Sequence, residues 1–196
     1  SVAAIGEQKY ASLADAIAAA KAGDTIVLLE NVTGVVTIPE TADITLDLNG
    51  KKIENSADDA IDNMGTLTIK DSTGNGEIIS TKLYGVAAAA SSKTIIEYAK
   101  ITGQEGAVGG FGSKTGSWNT NGATIIINDG IFTSIDNAVI IFNGTERTGS
   151  ANEVTINGGT FYGGIQSSGY VACGIYAPWQ DNITVNNGTF NIDGGA

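Results

Sequence analysis

The side chains of this chain that could do acid–base chemistry are almost all carboxylates. Its 196 residues include 21 Asp and Glu, 10 Lys and Arg, and no His. Without His, the chain lacks the commonest general base, the commonest transition-metal ligand and the central residue of a Ser-His-Asp triad. The single Cys173 has no partner for an intramolecular disulfide and no His to activate it, so we interpret it as a small apolar residue. Catalysis would therefore have to rely on pairs of acids, as in glycoside hydrolases.

Three acids stand out because they occupy polar positions in segments that alternate between polar and apolar residues. They are Asp47, Glu97 and Glu153, and they are the candidate catalytic residues if the chain is a glycosidase. An inverting glycosidase needs two carboxyl groups roughly 6.5–9.5 Å apart, with room for water and sugar between them. Whether any two of these acids meet that condition depends on the elements that carry them.

Those elements follow from a phrase that recurs along the chain, as ATIIINDGIFTS, NEVTINGGTFYGG and NITVNNGTFN. Apolar pairs with strand periodicity predict the inward-facing residues, and successive pairs are 21, 29, 29, 29 and 29 residues apart. The pairs are Leu46/Leu48, Leu67/Ile69, Ile96/Tyr98, Ile125/Ile127, Val154/Ile156 and Ile183/Val185. Intervals so short and so rich in Gly and Asn leave no room for crossover helices, so the repeat predicts an all-β solenoid, a single-stranded right-handed parallel β-helix.

Three columns of identical residues accompany the repeat, each with members 29 residues apart. Phe132, Phe161 and Phe190 are predicted to stack inside the solenoid. Gly130, Gly159 and Gly188 are predicted at a turn where a positive φ or a close backbone approach excludes a Cβ atom. Asn128, Asn157 and Asn186 are predicted to form a ladder of side-chain amides that hydrogen-bond from coil to coil.

One helix is predicted, over residues 12–22, as a cap on the first coil. Ser12 is a typical N-cap with Asp15 three residues later, and Gly23 is a typical C′ stop. Strands then begin near residue 25 and continue to residue 196, which gives about seven coils at roughly 4.8 Å each. We expect a single domain over residues 1–196 that is a fragment of a longer protein.

The residues also carry a resemblance to a known superfamily. IGEQKYASLADAIAAAKAGDTIVLLENVT followed by ITLDLNGKKI resembles the start of right-handed parallel β-helix domains of the pectate-lyase-like superfamily, found in secreted or wall-attached proteins of Gram-positive bacteria. The INGGTF phrases resemble the asparagine ladder of that superfamily, and the resemblance covers essentially the whole chain. It implies a fold rather than an activity, because the superfamily includes lyases, hydrolases, phage tailspikes and non-catalytic adhesin stalks.

Active sites in that superfamily usually lie on the outer face of one strand row. We predict that Asp47 and Glu97 share one outward row, two coils and therefore about 10 Å apart, with Glu153 in the adjacent row. Pectate lyases carry Ca²⁺-binding aspartates beside a basic residue, whereas Arg147 here lies in the segment NGTERTGS with Glu146 as its close acid. We therefore expect no lyase of that type, no metal site and no cofactor.

Aromatic residues in two Gly-rich segments, 103–123 and 162–181, are candidates for sugar binding. An exposed aromatic ring offers a flat apolar face, and neighbouring Asn, Gln, Ser and Asp residues offer hydrogen bonds. The candidate ligand-binding residues are Trp118, Tyr162, Tyr176 and Trp179.

The formal net charge of −11 argues against nucleic acid and anionic membranes as partners, and no apolar run is long enough to cross a bilayer. We expect a non-catalytic module of a secreted or cell-wall-attached bacterial protein, acting as a scaffold or adhesin segment beside other domains and contacting glycans or host-surface glycoproteins. The alternatives are a carbohydrate-active enzyme such as a glycosidase, or a phage tail or fibre module.

Overall fold

The computed structural model describes residues 1–110, 120–142, 149–163 and 173–192, which form one helix and 22 strands. The helix is α1 (Leu13–Ala19). The strands before residue 90 are β1 (Ala3–Ile5), β2 (Gln8–Tyr10), β3 (Thr25–Leu28), β4 (Val32–Thr33), β5 (Val36–Ile38), β6 (Asp43–Asp47), β7 (Lys52–Asn55), β8 (Ile61–Asn63), β9 (Thr66–Lys70), β10 (Glu77–Ser80) and β11 (Tyr84–Ala88). Those after it are β12 (Lys93–Ile96), β13 (Lys100–Gly103), β14 (Gly106–Gly110), β15 (Thr124–Ile127), β16 (Ile131–Ser134), β17 (Ile140–Phe142), β18 (Glu153–Ile156), β19 (Thr160–Gly163), β20 (Ile175–Tyr176), β21 (Asn182–Val185) and β22 (Thr189–Ile192).

The strands wind into three sheets that run side by side along the molecule. Sheet 1 has the order β2-β1-β3-β6-β9-β12-β15-β18-β21, sheet 2 the order β4-β7-β10-β13-β16-β19-β22, and sheet 3 the order β5-β8-β11-β14-β17-β20. From β3 onward every neighbouring pair is parallel, and each coil contributes one strand to each sheet. The predicted parallel β-helix is therefore confirmed. The described residues hold six complete coils and two strands of a seventh, slightly fewer than predicted.

The predicted strand register is correct in the last coils and wrong in the earlier ones. Leu46 pairs with Ile69, and Ile69 with Ile96, so the inward residue two places before Ile96 is Thr94. Tyr98 lies in the following turn instead of inside. The intervals along this inner row are 20, 23, 27, 31, 29 and 29, through Ile26, Leu46, Ile69, Ile96, Ile127, Ile156 and Val185. Turns of different length cause the differences, and two opposite changes in neighbouring coils imitate two equal repeats.

The N-terminal helix covers the first coil much as predicted. Ser12 is its N-cap, since the Ser12 Oγ accepts a hydrogen bond from the Asp15 backbone N–H at 3.0 Å. The apolar side of α1 is buried against the strands of the first coil. The helix ends at an extended C-cap, Ala20, and Gly23 lies in the next turn (φ +87°), so the prediction of Gly23 as its C′ residue is wrong. The described residues contain no helix long and apolar enough to cross a bilayer.

An antiparallel hairpin, which the sequence analysis did not predict, covers the edge of sheet 1. Strands β1 and β2 pair antiparallel through a two-residue turn whose Gly6 has a positive φ of 56°. Strand β1 then pairs antiparallel with β3, the first strand of the solenoid. The backbone groups of β3 that would otherwise be unpaired are thereby bonded on both sides, which protects the edge from pairing with another chain.

The interior is filled by aliphatic columns that give way to rings in the later coils. On the inner side of sheet 2, Phe132 pairs in register with Phe161, and Phe161 with Phe190. Their ring centroids are 4.9 and 4.6 Å apart, with interplanar angles of 12° and 11°. The ring spacing matches the separation of hydrogen-bonded strands, so the backbone ladder places these rings in stacking contact.

The glycine column lies directly before these rings. Gly130, Gly159 and Gly188 have φ values of 138°, 102° and 142°. A Cβ atom on Gly130 would lie 2.3 Å from the Ala99 carbonyl oxygen in the coil below. Both the backbone conformation and the close approach of the neighbouring coil therefore require glycine here.

Replacement of Phe161 by alanine tests the ring column. Phe161 is fully buried between two other rings, so Phe161→Ala should lower the free energy of unfolding by about 3–5 kcal/mol. The adjacent Tyr162 points outward, and Tyr162→Ala should change stability by no more than about 0.5 kcal/mol. Urea unfolding of the two variants measures the difference, and equal losses would contradict the assigned strand faces.

Candidate functional site

The three candidate catalytic acids lie on the outside of sheet 1, in two different rows. Asp47 pairs with Lys70, and the next residue of that row is Glu97, whose backbone N–H donates to the Ile69 carbonyl. Asp47 and Glu97 are thus two coils apart, as predicted, but Lys70 occupies the position between them. The other row contains Glu153, beside Thr124 and Asn182.

Asp47 is a buried structural carboxylate. Its Oδ1 accepts hydrogen bonds from the backbone N–H groups of Asn49 and Ser72, both at 2.9 Å. Its Oδ2 lies 3.7 Å from the Lys70 Nζ. Because both oxygens bind neighbouring coils, the group stabilises the turns around it and is poorly placed to activate water.

Glu97 is the first acceptor of the asparagine ladder. The Asn128 Nδ2 donates to the Glu97 Oε2 at 3.1 Å, the Asn157 Nδ2 to the Asn128 Oδ1 at 2.9 Å, and the Asn186 Nδ2 to the Asn157 Oδ1 at 2.8 Å. The ladder therefore runs in one direction, with each amide donating to the coil before it. It lies on the outer side of the strand ends, since Asn157 and Asn186 are exposed.

Buried asparagines extend the same kind of bonding below the surface. The Asn152 Nδ2 donates to the Thr120 carbonyl and to the Asp181 Oδ1, both at 2.9 Å, and its Oδ1 accepts from the Ala123 N–H at 3.0 Å. Asn63 similarly donates to the Lys93 carbonyl in the next coil. Asparagine suits these positions because one side chain both donates and accepts, which satisfies turn groups of two coils at once.

Glu153 makes a contact of the same type. The Asn182 Nδ2 donates to the Glu153 Oε1 at 2.7 Å, one coil further along the row. Each of the three acids thus holds a side chain or backbone group of an adjacent coil. No two of the three face each other, and they lie on the outer side of a flat sheet.

The candidate sugar-binding aromatics are distributed around the molecule. Trp118 lies outside the described residues. Tyr162, Tyr176 and Trp179 are 44, 37 and 39% exposed, and all three belong to the sixth coil (β18, β19, β20 and the turn that follows). Tyr162 lies on sheet 2, Tyr176 on sheet 3, and Trp179 in the turn after β20, so they occupy separate faces and form no common cleft.

Tyr162 has the surroundings best suited to a sugar. On the outer side of sheet 2 it pairs with Thr133 in one neighbouring strand and with Asn191 in the other. Thr160 lies two residues earlier on the same side, and Ile131 is its exposed partner in β16. The ring therefore lies in a lattice of hydroxyl, amide and apolar groups spaced by the strand separation. We call these five residues the Tyr162 patch.

The sequence analysis missed an acid pair on sheet 3. Asp59 and Asp62, in the segment SADDAIDN, are both almost completely buried and hydrogen-bond to each other through their carboxyl groups. The Asp59 Oδ1 also accepts a hydrogen bond from the Tyr84 backbone N–H at 3.0 Å. Three acids within five residues before a strand were the available signal, but which acids turn inward depends on the packing of β8 and β11.

The environment of this pair stabilises one shared proton. Burial, the hydrogen bond to Asp62 and the negative charge of Asp62 raise the pKa of Asp59 to about 8. A perturbed acid pair is a common mark of an active site. Here burial separates both carboxyl groups from any polymeric substrate, so we interpret the pair as a structural carboxyl–carboxylate bond. In the part of the chain that the structure describes, no three His, Cys, Asp or Glu side chains are grouped as a metal site would require.

No protein-family model matches the chain, and neither does any curated protein or solved structure. The solenoid itself is shown by the strand pairing, whereas the resemblance to the pectate-lyase-like superfamily stays a prediction. Function is therefore argued from the geometry of these surfaces alone.

The Asp59–Asp62 pair predicts a dependence of stability on pH. Since the pKa of Asp59 is raised on folding, the folded state retains a proton that the unfolded state releases between pH about 4 and about 8. The free energy of unfolding should therefore fall as the pH rises through this window and level off above pH about 8. Asp59→Asn should reduce this slope, whereas Asp43→Asn, at an exposed position on sheet 1, should leave it unchanged. Urea unfolding across the pH range decides, and identical slopes in all three proteins would refute the shared proton.

The ladder predicts different outcomes for two neighbouring asparagines. Asn157→Asp removes the donor that bonds Asn128 and should lower the free energy of unfolding by about 0.5–1.5 kcal/mol. Asn187→Asp, an exposed change of the same kind one coil further, removes no ladder bond and should have little effect. Thermal and urea unfolding measure both variants, and equal effects would mean that the ladder does not contribute to stability.

Proposed function

We propose that this chain is a non-catalytic β-helix module of a secreted or cell-surface bacterial protein, and that it acts as a scaffold or adhesive segment that contacts glycans through the Tyr162 patch. The observation that carries the proposal is the position of Tyr162, an exposed ring among outward Thr133, Thr160 and Asn191 side chains on a rigid sheet.

The chemistry of the Tyr162 patch suits a neutral sugar. The ring and the neighbouring Ile131 supply the apolar surface on which the C–H face of a pyranose stacks. Threonine hydroxyls and the Asn191 amide both donate and accept hydrogen bonds, as sugar hydroxyls require. Because these groups stand on strands instead of loops, little conformational entropy is lost on binding.

The non-catalytic part of the proposal is supported by the bonding of the acids. Asp47, Glu97 and Glu153 each accept hydrogen bonds that hold coils together, and the acids of sheet 3 are buried. A glycosidase needs two carboxyl groups at one groove with the sugar between them. The outer side of sheet 1 offers single carboxylates on an open surface.

The extracellular setting and the partners rest on the sequence. The resemblance to the pectate-lyase-like superfamily, the charge of −11 and the Asn-rich repeat are consistent with a secreted or wall-attached protein that carries further domains. On this proposal the partners are glycans or host-surface glycoproteins.

A glycan array, followed by mass spectrometry of every retained glycan, tests the proposal. We expect intact glycans to be retained, and Tyr162→Ala to weaken their affinity by about three- to tenfold, since loss of an aromatic contact costs roughly 0.5–1.5 kcal/mol. Tyr176→Ala, which removes an equally exposed ring from sheet 3, is the matched control and should bind normally.

The other outcomes are equally informative. Cleaved glycans would overturn the proposal in favour of a glycosidase, with Asp47, Glu97 and Glu153 the first residues to replace. Loss of binding in Tyr176→Ala but not in Tyr162→Ala would move the site to sheet 3. Absence of any retention would refute glycan binding and leave only a scaffold.

A further inference from the structure

The chain contains several Asn–Gly dipeptides, and the structure distinguishes one of them chemically. The described residues hold five: Asn49–Gly50, Asn75–Gly76, Asn121–Gly122, Asn157–Gly158 and Asn187–Gly188. Glycine after asparagine leaves the backbone nitrogen sterically open to the side-chain amide. We propose that Asn187–Gly188 is a site of spontaneous deamidation in the folded protein, and that the fold protects the other four.

The reaction needs only the chain, hydroxide and water. Hydroxide removes the proton of the Gly188 N–H, and the nitrogen then attacks the Asn187 Cγ. The new N–Cγ bond forms as the Cγ–Nδ2 bond breaks, and ammonia leaves with a proton from water, which restores the hydroxide. Water then opens the resulting succinimide at one of its two carbonyls, which yields either aspartate or isoaspartate.

At Asn187 the reacting groups are already in contact. The Gly188 N–H donates to the Oδ1 of Asn187 itself at 2.9 Å, so the nucleophilic nitrogen lies beside the carbonyl that it must attack. Approach of reacting atoms to near contact distance provides much of the rate gain in intramolecular reactions. Both residues are exposed, so hydroxide and water reach them.

In three of the other dipeptides the glycine nitrogen is bonded elsewhere. The Gly50 and Gly76 N–H groups donate to the two carboxylate oxygens of Asp71, at 2.9 and 2.6 Å. The Gly122 N–H donates to the Ser150 carbonyl at 2.9 Å. Attack at these sites requires the loss of a hydrogen bond between coils or within a turn, which raises the barrier.

In the fourth dipeptide the amide itself is restrained. Asn157 is a ladder residue, whose Nδ2 donates to Asn128 and whose Oδ1 accepts from Asn186. Rotation of this amide towards Gly158 would break both bonds. Asn157 and Asn187 are therefore both exposed and both followed by glycine, yet only Asn187 is oriented for reaction.

The two products should affect the last coil differently. In the fifth coil the equivalent residue is already an aspartate, and the Gly130 N–H donates to the Asp129 Oδ1 at 2.8 Å. An aspartate at position 187 can therefore keep the native bond. Isoaspartate instead adds a methylene group to the backbone between β21 and β22, which pair in register with β18 and β19. That product should loosen the seventh coil.

Peptide mapping by mass spectrometry tests the site during incubation at mildly alkaline pH. Each Asn–Gly peptide is quantified separately, including Asn143–Gly144, which lies outside the described residues. We expect Asn187 to react at least about tenfold faster than Asn157, which corresponds to a barrier difference of roughly 1.4 kcal/mol. A reaction at Asn49, Asn75, Asn121 or Asn157 as fast as at Asn187 would overturn the proposal.

Unfolding provides the decisive control. In concentrated urea the hydrogen bonds that distinguish the five dipeptides are absent, so their rates should converge. Persistence of the preference for Asn187 in urea would show that local sequence, rather than the fold, causes it. Asn187→Ser should abolish the fast phase, and Asn187→Asp should unfold like the native protein, because its carboxylate can accept the Gly188 N–H.

Discussion

The separation of neighbouring coils is the constraint on which the rest of this structure depends. Backbone hydrogen bonds between parallel strands set that separation to about 4.8 Å, and every side chain is repeated above and below at this distance. A column is stable only if its side chains interact favourably at that spacing. Phenylalanine rings do, as the centroid distances of 4.9 and 4.6 Å show, and so do asparagine amides, with ladder bonds of 2.8–3.1 Å.

The same constraint explains why the surface acids are unsuited to catalysis. A lone carboxylate in a column of stacked polar residues lies within hydrogen-bond distance of the residue in the next coil. Lys70 beside Asp47, Asn128 beside Glu97 and Asn182 beside Glu153 all arise in this way. Regular stacking thus turns the candidate acids into structural acceptors. It also presents Tyr162 on a flat lattice, where recognition of a ligand by contact is favoured over its activation.

Prediction from sequence succeeded where the repeat is regular and failed where turns vary. The last three coils have equal length, so the Asn128, Phe132 and Gly130 columns follow from counting. Earlier coils are 27 and 31 residues apart, and their average imitates two equal repeats. Local sequence does not distinguish these cases, because the extra residues lie in turns, and only pairing between strands shows that Thr94 rather than Tyr98 points inward.

The sequence by itself determined the periodic features: a parallel β-helix, an N-capped helix at its start, and columns of Phe, Gly and Asn. Each follows from local spacing, which repeats whether or not the chain is folded. Only the tertiary structure decided which groups from distant coils meet. It buried Asp59 against Asp62, placed Lys70 between two acids, and restrained Asn157 while leaving Asn187 against its own glycine. These outcomes depend on hydrogen bonds between residues more than 20 apart or on the packing of whole strands, and neither is encoded in any short segment.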